Sequence, residues 1–314
     1  MELDREADRP RVDVLVVTWN TAHLTAQALR RLLDSDQGAV VLRVLVHDNA
    51  SSDGTPDVLA AEVPEAEVVV GTDNLGFAGG VNLLLPRATA PWLLVLNSDA
   101  WPDPGAIGRL VETARRHPDA ALVAPRLESP DGVLELSAFA APSVTTAWAM
   151  ALDAARWARG WSARRLLPGA WGHDVPRDVD WTVGAAWLLV REAVEAVGEL
   201  DTSFFMYGED VEYCLRLRRA GWRVLFEPRA IVRHLGNASG TQAYDGHARA
   251  AAWVRNDLRL FRRHASRTTT AAYAIGHALG ARRSARSARR RGEDGAAAYW
   301  GTLADAYLTG ARSR

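Results

Sequence analysis

One unit recurs four times before residue 120 and constrains the fold more than any other feature: a β-branched apolar run, then a polar loop, then apolar residues at helical spacing. Val12-Asp13-Val14-Leu15-Val16-Val17-Thr18 is nearly continuous in hydrophobicity, as a parallel strand covered on both faces must be. It passes through Trp19-Asn20-Thr21 into Leu24, Ala28, Leu29, Leu32 and Leu33. Val40 to Val46 leads through His47-Asp48-Asn49-Ala50-Ser51-Ser52-Asp53-Gly54 to a short helix, and Val68 to Val70 leads through Gly71 to Gly80 to a helix bearing Asn82 and Leu85. Trp92 to Leu96 delivers Asn97-Ser98-Asp99; a helix from Pro104 to His117 and a strand from Ala121 to Ala124 follow. This alternation predicts an α/β fold with a doubly wound, mostly parallel sheet flanked by helices. Ligands of such sheets bind beyond the carboxyl ends of the strands. The loops carrying Asn20, Asp48, Asn74 and Asp99 all lie at those ends, so they are expected to converge on one crevice. Any one of them is equally explained as turn chemistry.

After Pro125 the periodicity weakens. Leu134 to Ser137 reads as an edge strand, Val144 to Arg159 as a Trp-bearing helix and Gly160 to Asp178 as a loop. Trp148, Trp157, Trp161 and Trp171 suit sugar rings or lipid chains, and equally the packing of a small satellite core. Val179 to Val190 is expected to form a strand pair bent at Gly184, and Arg191 to Val197 a short helix. In Phe204-Phe205-Met206-Tyr207-Gly208-Glu209-Asp210 two carboxylates follow a glycine at the first turn of an amphipathic helix, where the helix dipole favours negative charge. Val211, Leu215 and Leu217 or Ala220 are expected to pack inward, and Gly221 to end the helix. A carboxylate shielded by aromatic residues is a candidate general base; the same pair also serves as a helix cap. Beyond it come a strand from Trp222 to Phe226, a turn at Pro228-Arg229, a strand from Ala230 to Arg233, and His234.

The 314 residues, 48% hydrophobic and 24% charged, are those of a soluble globular protein, with no apolar run near the roughly 20 residues that span a bilayer. The charged N-terminus lacks a signal core, and one cysteine, Cys214, excludes an internal disulfide and a thiolate metal cage. A cytoplasmic protein is expected, with the inner face of the cell membrane as the alternative placement. All 37 basic residues are Arg, so any anionic ligand must be held by Arg, backbone amides or a metal. Residues 255–314 carry 13 Arg against four acids, whereas residues 1–254 carry 24 Arg against 34 acids.

The ordered set Val17-Thr18-Trp19-Asn20, His47 to Gly54, Asp73-Asn74-Leu75-Gly76-Phe77-Ala78-Gly79-Gly80-Val81-Asn82, Leu96-Asn97-Ser98-Asp99, Phe205 to Asp210 and His234 resembles the inverting nucleotide-sugar glycosyltransferases of family 2, over about Val12 to Gly236. The match is closest to the rhamnosyltransferase-like and galactofuranosyltransferase-like branch. The resemblance implies a GT-A fold, Rossmann-like, with a glycosyltransferase domain over residues 1–241 and a helical C-terminal appendage over 242–314. Within the domain, about 12–125 would bind the nucleotide-sugar and about 126–241 the acceptor. It implies a bacterial hexosyltransferase of cell wall or polysaccharide biosynthesis, moving rhamnose or another hexose from a UDP- or dTDP-sugar to a hydroxyl of a glycan or lipid-linked acceptor.

By the same resemblance Asp210 is the catalytic base, with Glu209 beside it supporting the base or the acceptor, and Asp48 accepts a hydrogen bond from the imide of uracil or thymine. Thr18, Asn20, Asn74, Gly76, Phe77, Asn82 and Ser98 line the nucleotide-sugar pocket, and Trp181 and Gly184 begin the acceptor side. Asp99 and His234 hold Mg²⁺ or Mn²⁺. Asn97 stands where many members carry Asp, and it is a neutral, weaker ligand. Two other readings remain: a non-catalytic nucleotide-sugar-binding scaffold, and a soluble glycosyltransferase acting on a small metabolite.

From Gln242 onward helices are expected at Ala248 to Phe261, Thr268 to Ala281 and Ala296 to Leu308. The basic run Arg282 to Arg291 between the last two suggests peripheral contact with an anionic membrane face. The same run also suits nucleic acid or a solvated linker, and the acidic front of the chain argues against nucleic acid as the main partner.

Overall fold

The computed structural model describes residues 9–38, 40–154, 171–236 and 246–312. The described residues divide into two compact units, the first drawn from 1–138, 173–205 and 209–239, the second from 139–172, 206–208 and 240–314.

In chain order the elements are β1 (Arg11–Thr18), α1 (Ala22–Asp34), β2 (Val41–Asp48), α2 (Thr55–Glu62), β3 (Ala66–Val70), α3 (Gly76–Leu84), β4 (Trp92–Asn97), β5 (Ala100–Pro102), α4 (Ala106–Arg116), β6 (Ala120–Glu128), β7 (Leu134–Glu135), β8 (Ala138–Phe139) and α5 (Val144–Ala151). There follow β9 (Arg177–Asp178), β10 (Trp181–Thr182), β11 (Ala186–Val190), α6 (Arg191–Val197), α7 (Glu209–Arg219), β12 (Arg223–His234), α8 (Gly246–Arg262), α9 (Arg267–Arg290) and α10 (Asp294–Arg312).

The first unit is built on a sheet of order β3-β2-β1-β4-β11-β6-β12-β5, with β7 on β6 and β9 on β12. β1 lies inside the sheet because its apolar run is buried on both faces, pairing parallel with β2 and with β4. Register then aligns the strand ends: Thr18 lies opposite Asp48, and Val17 opposite both His47 and Asn97. Buried Asp13 does not break this apolar strand, because its Oδ2 accepts from the amides of Thr89 and Ala90. β11 runs antiparallel between β4 and β6, so the sheet is mixed, though parallel strands dominate.

Two expectations are corrected in this unit. The turn expected at Pro228 is a bulge inside one continuous strand, β12, whose register on β6 shifts between Glu227 and Ile231. Pro228 has no amide to give to a ladder, and buried Glu227 accepts from the Arg229 amide (3.0 Å) and guanidinium, so the chain bends without reversing. On α7 the buried residues include Tyr213, Cys214 and Leu217, rather than Val211 and Leu215. Arg216 stays half-buried because its guanidinium pairs with Glu212 and donates to the carbonyls of Val197 and Glu199.

The second unit is helical. Its core joins Ala147 of α5, Val254 and Leu258 of α8, Tyr273 and Ala278 of α9, and Leu303 and Tyr307 of α10. Half-buried Asp257 accepts from the hydroxyls of Tyr273 (2.9 Å) and Tyr307 (2.8 Å), and desolvation pushes its carboxyl up to about 6 despite both bonds. Asn256 donates to the carbonyls of Met206 and Tyr207 at 2.9 and 2.8 Å. α9 does not stop at Ala281 as expected but runs on through the basic stretch to Arg290, with Ala281, Ala285 and Ala288 buried at helical spacing. The helix expected from Val144 to Arg159 ends at Ala151; its residues 155–159, with Trp157, and Trp161 of the expected loop lie outside the described residues.

α3 lies on β1 only because Gly80 has no side chain: a Cβ there would come within 2.6 Å of Val17 Cγ1. Gly80→Ala is therefore expected to lower the unfolding free energy by about 1–3 kcal/mol through overpacking, measured as a lower urea midpoint at unchanged slope.

Candidate functional site

The carboxyl ends of β1 and β2 carry interlocked polar loops. Asn20 and Ala50 both take left-handed backbone, φ +53° and +59°, a conformation that costs most residues energy and that the surrounding bonds must hold. The Asn20 amide donates to Ser51 Oγ (2.8 Å), the Ser52 amide donates to Asn20 Oδ1 (2.8 Å), and the Ala22 amide at the start of α1 donates to Asp53 (3.0 Å). Asp48 is fully buried; its Oδ2 accepts from the Ser51 amide (3.0 Å), and its Oδ1 has no partner among the described residues. An ionised oxygen left so is costly without a donor from outside the protein.

The other expected nucleotide-pocket residues have varied surroundings. The Thr18 hydroxyl is buried with those of Thr21 (2.9 Å) and Thr25 (2.8 Å), and Ser98 lies 3.4 Å from the Thr21 hydroxyl. Asn82 spends its amide on both backbone groups of Leu200, at 2.9 and 3.0 Å, tying α3 to the segment after α6. Asn74 accepts from the Gly76 amide (2.9 Å). Gly76, φ +72°, lies so close to Phe205 that a Cβ would fall 2.3 Å from its carbonyl oxygen. Around Gly184, a Cβ would meet Asp210 Cβ and Trp187 at 3.5 Å and the Phe77 ring at 3.6 Å, so these residues gather in one place. Trp181 is half-buried in β10.

At the far end of β4, Asp99 Oδ1 and His234 Nε2 approach to 3.3 Å, and Asn97 Nδ2 is 3.3 Å from the same nitrogen. Glu135, which nothing in the sequence singled out, meets His234 Nδ1 at 2.8 Å. Burial lowers the affinity of the imidazole for its proton, but Asp99 and Glu135 together outweigh it and raise the pKa to about 9. A buried carboxylate and an imidazole oriented by a second carboxylate are a donor set that fits a divalent cation. Among the described residues no three His, Cys, Asp or Glu side chains form such a group, so two protein ligands, with Asn97 beside them, are what the chain offers.

Glu209 and Asp210 open α7 after Tyr207 and Gly208, both at positive φ. Asp210 accepts from the Val211 amide at 2.8 Å. Glu209 is 7% exposed, and its Oε2 has no partner among the described residues. Burial, then repulsion from Asp210, pushes its carboxyl up to about 8. Trp187, like Glu135, was not singled out by the sequence: fully buried, it donates from Nε1 to Thr182 (2.8 Å) and stacks on Tyr213 of α7. Its place in an apolar strand signalled burial but not its part in backing the acidic helix.

Because the folded state keeps the Glu209 proton that the unfolded chain releases, stability attributable to this group is present at low pH and lost as pH rises from about 4.5 toward about 8. Glu209→Gln removes that loss, so the melting temperature of the variant minus that of the wild type should increase between pH 5 and pH 8.5 in calorimetric scans.

Several known proteins are similar to this chain in sequence or in fold. An N-acetylglucosaminyl-diphospho-decaprenol L-rhamnosyltransferase of Mycobacterium tuberculosis is 33% identical over 207 residues, covering 61% of this chain and 66% of that protein. A pre-mycofactocin glycosyltransferase of the same organism is 31% identical over 249 residues, covering 77% of this chain and 47% of its own length. The chain thus spans about two-thirds of the one relative and about half of the other. Among solved structures, a mannosyltransferase from Pyrobaculum calidifontis in complex with GDP-Man and Mn²⁺ superposes with a TM-score of 0.58 at 20% identity, covering 98% of this chain and 87% of the other, a likeness of fold. Residues 10–256, most of the chain and every residue of the candidate site, match glycosyltransferase-like family 2, and with its GT-A sheet the chain belongs to that family.

Proposed function

We propose that the chain is an inverting, metal-dependent hexosyltransferase that moves rhamnose or a related hexose from a UDP- or dTDP-sugar to a hydroxyl of a lipid-linked acceptor. The observation that carries the reading is the fully buried Oδ1 of Asp48, without a partner among the described residues, at the sheet edge where nucleotides bind in such folds. An imide N–H of uracil or thymine is the donor that such an oxygen lacks, whereas a cytosine ring offers no N–H at that position. The rhamnosyltransferase among the relatives supports a sugar of this class and a diphospho-polyprenol acceptor. The pre-mycofactocin relative keeps a non-lipid acceptor as the second reading.

In this reading Asp210 accepts the proton of the attacking hydroxyl as the acceptor oxygen bonds to the anomeric carbon and the bond to the nucleoside diphosphate breaks on the opposite face. Glu209, holding its own proton near neutral pH, leaves Asp210 as the charged member of the pair. Phe77 and Gly184, beside Asp210, restrict water there. Asp99 and His234, with Asn97 adjacent, would hold Mg²⁺ or Mn²⁺. A divalent cation there supplies neutralisation of charge developing on the diphosphate.

Peripheral membrane contact belongs to the same proposal. Among the described residues no helix is long and apolar enough to cross a membrane. On α9, Ile275 and Leu279 are exposed at 40% and 43%, and Arg282, Arg286 and Arg289 continue the same stripe. Arg286, Arg289 and Arg290 form no ion pair among the described residues, although Arg283 pairs with Asp153. Arg282 pairs with Asp305 at 3.9 Å, and the stripe is continued beyond it by Arg286 and Arg289, without an ion pair among the described residues, an arrangement that suits an anionic lipid surface.

Calorimetric titration of UDP and of dTDP, with Mn²⁺ and then with chelator, tests the donor site. Metal-dependent binding is expected, weakened about tenfold to a hundredfold by Asp48→Ala, the range for a hydrogen bond to a charged group. Asp210→Asn should abolish transfer with nucleotide affinity kept; turnover by that variant removes Asp210 as the base. Co-sedimentation with phosphatidylglycerol vesicles should exceed that with phosphatidylcholine, and each of Arg286→Ala, Arg289→Ala and Arg290→Ala should cost about fivefold, since an Arg near an anionic surface contributes about 1 kcal/mol.

A further inference from the structure

Asn49 follows Asp48 directly and is 3% exposed, yet its side chain faces neither solvent nor the open oxygen of Asp48. Its Oδ1 accepts from the Leu75 amide (3.2 Å) and its Nδ2 donates to the Gly76 carbonyl (3.1 Å), across 26 and 27 residues of chain. The amide is oriented by His47, whose Nε2 lies 3.1 Å from Oδ1. Burial lowers the pKa of that imidazole, so the neutral ring is the form that donates. The Asn49 backbone amide donates to the Thr18 carbonyl (2.9 Å), anchoring this clamp to β1. A two-point bond to a loop backbone fixes both its position and its rotation, which a single bond does not.

The clamped segment is the one that reaches the carboxylates. Gly76 lies against the Phe205 carbonyl, four residues before Glu209, and Phe77 lies with Asp210 around Gly184. Asn49 therefore holds, at one end, a segment whose next residues touch both approaches to the acidic pair, while its own neighbour Asp48 carries the open acceptor.

We propose that Asn49 is a positioning residue that transmits occupancy of the Asp48 pocket to the placement of Glu209 and Asp210 through the Leu75-Gly76-Phe77 segment. This rests on the reading of Asp48 as the base-recognising group. Displacement of the Asp48 loop on nucleotide binding is passed to Leu75 and Gly76 by two hydrogen bonds, and from Gly76 to Phe205 by contact.

The test follows the side-chain carboxyl of Glu209 by NMR on protein labelled with ¹³C at the glutamate carboxyl, the resonance being assigned by its loss in Glu209→Gln. UDP and dTDP are added to saturation with Mg²⁺. In the wild type the nucleotide should move the Glu209 resonance and its titration midpoint. Asn49→Ala should bind nucleotide within about threefold of the wild type and lose at least half of that movement. Asn49→Asp keeps the acceptor for Leu75 but not the donor to Gly76; it should fall between the two, and its melting temperature guards against a folding defect in the alanine variant. Full movement in Asn49→Ala at saturating nucleotide overturns the proposal, as does an Asn49→Ala whose only defect is nucleotide affinity. Asp48→Ala separates the two readings: unchanged nucleotide affinity in that variant removes base recognition by Asp48, while the response of Asn49→Ala at saturation still reports whether the segment couples the two places.

Discussion

The bare Cα of Gly76 against the carbonyl of Phe205 is the contact on which the candidate site depends. It joins the loop that opens α3 to the aromatic segment that precedes α7, two stretches separated by well over a hundred residues. No other residue type fits there, because the backbone is left-handed at φ +72° and a Cβ would overlap a carbonyl oxygen. From that contact follow the approach of Phe77 to Gly184 and Asp210, and the reach of Asn49 to the same loop. The sheet supplies the platform, since β1 aligns Thr18, Asp48 and Asn97 by register, but register alone would leave the acidic helix unconnected to them.

Two buried groups hold protons for opposite reasons. Glu209 is kept neutral because burial and the neighbouring Asp210 both disfavour a second negative charge. Asp99 and Glu135 favour the protonated form of His234 against the burial that would discharge it, a proton that a metal ion held by the same imidazole would replace. Strongly shifted acids and bases of this kind concentrate at functional sites, since a fold selected for stability alone has no use for them. The second unit shows the contrasting case: Asp257, also raised, is satisfied by two tyrosine hydroxyls in a helical core.

Much of this was legible in the chain. The apolar runs of β1, β2 and β4 and the polar clusters at their carboxyl ends set the sheet and its functional edge, because burial on two faces and turn chemistry leave strong local patterns. Glu209 and Asp210 at the start of α7 were legible from Gly208 and the helical period. Less legible was anything decided by distant partners. Glu135 is one acid among many until β7 brings it to His234, and Asn82 resembles a ligand residue until Leu200 takes its amide. The bulge at Pro228 mimics a turn, since a missing amide marks both. α9 continues through its Arg run because Ala285 and Ala288 bury a face that charge counting does not reveal.

The single cysteine has a practical consequence. Cys214 is fully buried on α7, and burial pushes its thiol up to about 12, so at neutral pH it holds almost no thiolate and presents no surface to a reagent. The native chain is thus already silent toward maleimides and similar probes. One cysteine introduced at an exposed position would carry the only reactive sulfur in the molecule, and fluorescent or spin labels could be placed on the chain without first altering its core.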